Sequence, residues 1–128
     1  MSDDSLYREH IMDHYRSPRN TGRLEGPDIS QDADNPLCGD KIHLELKIAG
    51  GQVMEVAWEG RGCAISQASA SLLSERLAGA SLEAAKRIGK AEVLADLGID
   101  ISPARLKCAL LALQALREGL GQGELEGG

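Results

Sequence analysis

Residues 41–61 constrain the fold more than any other stretch. Ile42, Leu44, Leu46 and Ile48 alternate with Lys41, His43, Glu45 and Lys47, the period-two pattern of a strand buried on one face. Ala49-Gly50-Gly51-Gln52 has turn chemistry, and residues 53–59 read as a second strand with Met54, Val56 and Trp58 on one face. Two such runs around a short glycine turn predict an antiparallel hairpin. Such a hairpin cannot bury its apolar face alone, so the rest of the chain must cover it.

The remaining sequence is mostly helical in pattern. Asp3 or Asp4 can cap a first helix reaching Arg16, with Tyr7, Ile11 and Tyr15 as its apolar stripe, ended by the turn residues 17–22. A short strand is expected near residues 28–33. After Cys63, Ile65, Ala68, Ser69, Leu72, Leu73 and Leu77 recur with helical spacing up to Gly79. Ser81 caps a helix that ends at Gly89, another spans residues 90–97 before Gly98, and Ser102-Pro103 opens a last helix reaching Glu118. The expectation is an α+β fold: a small antiparallel sheet of about three strands packed against a helical layer. Residues 1–120 form a single domain, and residues 121–128 form a flexible tail. The 128 residues suffice for a buried core. With no Phe, two Tyr and one Trp, that core must be filled by Leu, Ala, Ile and Val.

Composition also excludes function classes. A formal net charge of −6 argues against a general nucleic-acid binder, and no run approaches the roughly 20 apolar residues of a membrane span. The acidic start lacks a signal peptide's basic and apolar regions, so a cytoplasmic location is expected. Three cysteines cannot all pair with one another, and a reducing cytosol disfavours disulfides.

The hairpin bears on those cysteines. If Ile48 pairs with Val53, a straight register sets Lys41 opposite Gly60 and Cys38 opposite Cys63, and opposed residues lie roughly 4.5–5.5 Å apart. A bulge would shift this by one residue, but both cysteines still leave the same end of the hairpin. Asp40, two residues past Cys38, points to the same side of an extended segment, and Gly39 lets the backbone turn closely. Cys63 opens a helix, where unpaired amides favour a thiolate. Two thiolates and a carboxylate thus gather at one place. Local geometry does not place Cys108; if the last helix packs across the hairpin end, it adds a third sulfur. Thiolate-rich sites suit Zn²⁺ or iron–sulfur clusters.

Other candidates have blander readings. His10 and His14 stand four apart on the first helix, a chelating spacing without a third ligand nearby in sequence. His43 falls on the polar face of its strand and reads as solvated, and Trp58 reads as core. Gly60-Arg61-Gly62 lacks the Lys-Ser/Thr ending of a phosphate loop. Arg16, Arg19 and Arg61 are exposed candidates for docking a partner.

At these residues the chain resembles the IscU/SufU/NifU-N family of iron–sulfur cluster assembly scaffolds. The resemblance rests on His14-Tyr15-Arg16-Ser17-Pro18-Arg19-Asn20-Thr21-Gly22, on Asn35-Pro36-Leu37-Cys38-Gly39-Asp40, on Gly60-Arg61-Gly62-Cys63-Ala64-Ile65-Ser66-Gln67-Ala68-Ser69, and on Pro103-Ala104-Arg105-Leu106-Lys107-Cys108. It implies cofactor and metal ligands at Cys38, Asp40, Cys63 and Cys108, with Cys38 and Cys108 as candidate sulfur acceptors and Arg105 and Lys107 as auxiliary groups. It implies sulfur received from a cysteine desulfurase and a labile 2Fe–2S cluster passed to apo iron–sulfur client proteins, by a carrier rather than a turnover enzyme. The alternative is a SufU-like zinc-dependent sulfurtransferase, with Zn²⁺ in the isolated protein. Lys107, where IscU-type members have histidine, resembles the SufU branch; the short spacing from Cys63 to Cys108 lacks that branch's extra segment. Ile101-Ser102-Pro103-Ala104-Arg105 departs from the family's LPPVK chaperone-binding segment, so chaperone binding is not carried over.

Overall fold

The computed structural model describes residues 4–36 and 39–122, with side chains from residue 8 onward. Among the described residues nine elements follow one another: α1 (Asp4–Arg16), β1 (Ile29–Asn35), β2 (Asp40–Ala49), β3 (Gln52–Arg61), α2 (Ala64–Leu77), α3 (Leu82–Arg87), α4 (Lys90–Leu97), α5 (Pro103–Ala109) and α6 (Leu111–Gly119). The three strands form one antiparallel sheet with β2 in the centre. This is the expected α+β architecture, with helices packed on one sheet face.

The hairpin register departs from a straight ladder. Ile48 pairs with Val53, but Lys47 pairs with Glu55, leaving Met54 as an extra residue. The bulge turns both Val53 and Val56 into the core, whereas Met54 is 57% exposed and does not share a face with Val56 and Trp58. Beyond it the register stays shifted by one: Lys41 faces Arg61, not Gly60. Cys63 therefore stands nearer to Asp40 along β2 than the straight register implied.

Ile42, Leu44, Leu46, Val53, Val56 and Trp58 line the inner face and pack with residues of α2 and α6. The outer face is half-covered, because residues 20–28 cross it. This segment starts at β3, where Trp58 N–H donates to Asn20 O and Gly22 N–H to Trp58 O, and ends at β2, where Asp28 N–H donates to Leu46 O. Beneath it Glu45, 4% exposed, accepts from the Leu24 amide at 2.7 Å. His43 is not solvated as its strand position suggested. Its Nδ1 meets Asp32 Oδ1 at 2.7 Å and its Nε2 meets Glu45 Oε2 at 2.9 Å.

α2 is buried on nearly every side, packed by α1, α4, α5, α6 and β3. Its Ala and Ser residues admit neighbours closely, and the buried serines are satisfied. Ser71 Oγ accepts the Arg19 amide at 2.9 Å and lies 2.7 Å from His14 Nδ1. The other ring nitrogen, Nε2, faces Glu75 Oε1 at 3.6 Å. His14 therefore takes the inward position on α1 beside Ile11, while Tyr15, expected in the stripe, is 43% exposed. The expected single last helix is broken at Leu110 (φ −103°, ψ 4°). Ser69 Oγ donates to Ala109 O at 2.6 Å, drawing that carbonyl away from the helical ladder. Gln122 bonds back to Arg117 O and Lys86 O, and residues 123–128 of the expected tail lie outside the described residues. Among the described residues, no helix is long and apolar enough to cross a membrane.

Buried His14 and half-buried His43 give opposite pH signatures. Burial, aided by the Arg19 charge, lowers the His14 pKa. Its contribution to stability is full above the unfolded value of about 6.5 and is lost as pH falls through the lower folded value. At His43 burial works against the charged ring, but hydrogen bonds to Glu45 and Asp32 prevail and the pKa is raised. That contribution is full below about pH 6.5 and lost as pH rises through the folded value. Thermal midpoints between pH 5 and 8, taken in one metal state, should show the acid-side decline flattened in His14→Gln and steepened in His43→Gln. Parallel curves for both variants and the parent would contradict these assignments.

Candidate metal centre

The cluster forms where three chain segments meet at one end of the sheet. Gly39, at φ +75°, donates its N–H to Asn35 O at 2.8 Å, closing the loop between β1 and β2. Asp40 then opens β2 opposite Asn35 and is only 2% exposed. Across the hairpin, β3 ends at Arg61, and Cys63 stands as the N-cap of α2 (φ −74°, ψ 167°). Asp40 Oδ1 accepts the Cys63 amide at 3.1 Å, and Oδ2 lies 3.9 Å from Cys63 Sγ. One carboxylate oxygen is thus anchored to backbone while the other is directed at the sulfur.

Gly62 makes this approach feasible. At φ +142° it occupies backbone space that L side chains rarely adopt, and a Cβ there would overlap Asp40 Oδ1. Cys108 arrives from α5, 3% exposed, and Asn35 Nδ2 donates to its sulfur at 3.8 Å. One ligand atom each from Asp40, Cys63 and Cys108 lie within 4.8 Å of one another. Two sulfurs bound 2.3 Å from one tetrahedral ion would stand about 3.8 Å apart. The donor set and its spacing therefore fit a single borderline-soft ion such as Zn²⁺ after small movements. The start of α2 adds its dipole to the stabilisation of negative sulfur.

Of the residues singled out from sequence, Asp40, Cys63 and Cys108 converge. Cys38 lies outside the described residues. Arg105 and Lys107 are exposed on α5, beside Cys108 in the chain. His10 and His14 stack edge to face, with centroids 4.8 Å apart, on α1. Arg19 is engaged by Asp13 at 2.7 Å; Arg16 and Arg61 are exposed. Reading the chain alone gave no role to Asn35, although it sits inside the first cysteine motif, and counted Ser69 only in the stripe of α2, whereas it bonds the end of the Cys108 helix.

The chain as a whole resembles known proteins. The model of the NifU-like N-terminal domain matches residues 6–124. The chain belongs to that family of iron–sulfur cluster assembly proteins. The zinc-dependent sulfurtransferase SufU of Bacillus subtilis is 38% identical, over 94% of this chain and 93% of the relative. The iron–sulfur cluster assembly scaffold protein IscU of Thermotoga maritima is 37% identical, over 90% and 92% respectively. The crystal structure of the N-terminal part of a NifU-like protein from Brucella abortus superposes with a TM-score of 0.74 at 26% identity, covering 94% of both chains.

Gly62→Ala tests the close approach. Strain of about 1–3 kcal/mol and displacement of the Asp40 carboxylate should lower the thermal midpoint and reduce bound zinc per chain. Zinc stoichiometry and melting equal to the parent's would show that the carboxylate does not need this glycine.

Proposed function

We propose that the chain serves iron–sulfur cluster assembly in the cytoplasm as a zinc-dependent sulfur acceptor for a cysteine desulfurase. The observation that carries this reading is the spacing of the Asp40, Cys63 and Cys108 ligand atoms, which suits one ion rather than two metals bridged by sulfide. The Bacillus relative's name and the Lys107-Cys108 pair agree with it. In this reading Cys38 completes the ligand set. When bound, zinc keeps the thiolates deprotonated at neutral pH.

The chain's own residues divide the work. Cys108 is buried and Cys63 is tied through its amide to Asp40, so neither meets a partner's persulfide easily. Cys38, followed in sequence by Gly39, is the sulfur that attacks. Its thiolate forms a bond to the outer sulfur of the desulfurase persulfide as the persulfide S–S bond breaks. The bonding pair leaves on the desulfurase cysteine as thiolate, and the transferred sulfur keeps its proton, with no net oxidation. Asp40 keeps one oxygen beside the site throughout, held by the Cys63 amide.

A second reading, a scaffold that builds a 2Fe–2S cluster as cargo and passes it to apo clients, draws on the Thermotoga relative and on Asp40 itself. A hard carboxylate among soft donors holds such a cargo loosely.

Zinc-loaded protein mixed with a cysteine desulfurase and cysteine separates the two. The expected outcome is faster desulfurase turnover, with the Cys38 peptide heavier by one sulfur; Cys38→Ser abolishes both, and Cys108→Ser loses zinc. Anaerobic loading with iron and sulfide that yields a visible chromophore transferable to apo-ferredoxin, with no persulfide on Cys38, would replace the acceptor with the scaffold.

A further inference from the structure

Asn35 is buried at the end of β1, 6% exposed, and it serves the site twice. Its carbonyl accepts the Gly39 N–H and closes the loop before Asp40. Its side-chain N–H reaches Cys108 Sγ at 3.8 Å, although the two residues stand far apart in sequence. Burying an amide costs free energy unless it is bonded, so a buried side chain directed at a sulfur has a partner worth keeping. The sulfur also sits in a low-dielectric pocket, where one N–H has more effect than in water.

We infer that Asn35 is a positioning residue for Cys108, its side-chain N–H holding that sulfur as the retained thiolate of the centre. The inference rests on the zinc reading above. An N–H directed at a thiolate draws electron density from the sulfur and fixes its direction. A sulfur so held stays on the metal and is a poorer nucleophile. Asn35 thereby assigns Cys108 to holding rather than to spending, and it does so from β1, an element that supplies none of the three clustered ligands.

The test uses two variants of the full chain. Asn35→Ala removes the N–H and the volume; Asn35→Leu removes the N–H while filling the space. Zinc affinity, read by competition with a chromophoric chelator, should fall about ten-fold in both. In the cobalt-substituted proteins, the sulfur-to-metal charge-transfer band should move to lower energy while the tetrahedral ligand-field bands stay in place. Alkylation of zinc-loaded protein, mapped by peptide, should speed up at Cys108 and not at Cys63. Recovery of affinity by Leu would overturn the inference, since Asn35 would then only fill space. A charge-transfer band at the parental energy, or equal acceleration at Cys63 and Cys108, would overturn it as well. If the parent itself takes up cobalt with no sulfur charge-transfer band, the zinc reading falls, and this inference with it.

Discussion

The bond from the Cys63 amide to Asp40 Oδ1 joins the first residue of the central strand to the N-terminus of the most enclosed helix. Much of the molecule's order can be traced outward from it. On the sheet side, the carboxylate can stand there only because the Met54 bulge has moved β3 by one residue against β2. On the helix side, Gly62 must lack a side chain for the Asp40 carboxylate to reach the Cys63 amide. The bond thereby spends one carboxylate oxygen on structure and leaves the other for chemistry. A carboxylate free to rotate would offer both oxygens to solvent and would be a weaker organiser of two sulfurs.

The helical half of the fold follows from what α2 is made of. A chain with no Phe cannot fill wide gaps between helices, so it narrows them with Ala and Ser. Buried hydroxyls are acceptable because each is bonded: Ser66 to the Cys63 carbonyl and Ser74 to the Ser71 carbonyl of the same segment, Ser71 to His14 of α1 and the Arg19 amide after it, and Ser69 to the Ala109 carbonyl of α5. These bonds do more than satisfy buried polarity. They fix the depth of α1 and the point where the last helix breaks, and hence where Cys108 stands.

What could be read from the chain and what could not divides along physical lines. The alternation in residues 41–48 announced β2, and the shared end of the hairpin brought Asp40 and Cys63 together, because both depend on local period and chain reach. Strict alternation put Met54 on the face of Val56 and Trp58, and this failed at the bulge: Val53 and Met54 are equally apolar, so the pattern did not mark where the register slips. His14 defeated hydropathy: a polar ring occupies the position a stripe assigns to Tyr15, because Ser71, fifty-seven residues away, satisfies it. The break at Leu110 and the role of Asn35 are likewise products of contacts between distant segments. Cys108 had the same obstacle, and resemblance rather than geometry brought it to the site.

The break at Leu110 separates two mechanical responsibilities that one continuous helix would have fused. α6 packs on β1 and β2 and belongs to the larger apolar cluster, whereas Ala109, at the end of α5, joins the smaller one with Ile11, Ile65 and Leu97, against which Cys63 also packs. Cys108 thus stands beside the point where the chain passes from one cluster to the other, with Leu106 packed against the larger and Ala109 inside the smaller. The sheet supplies Asp40 and Asn35, and the helices supply the sulfurs of Cys63 and Cys108, so the site lies on the seam between the two clusters.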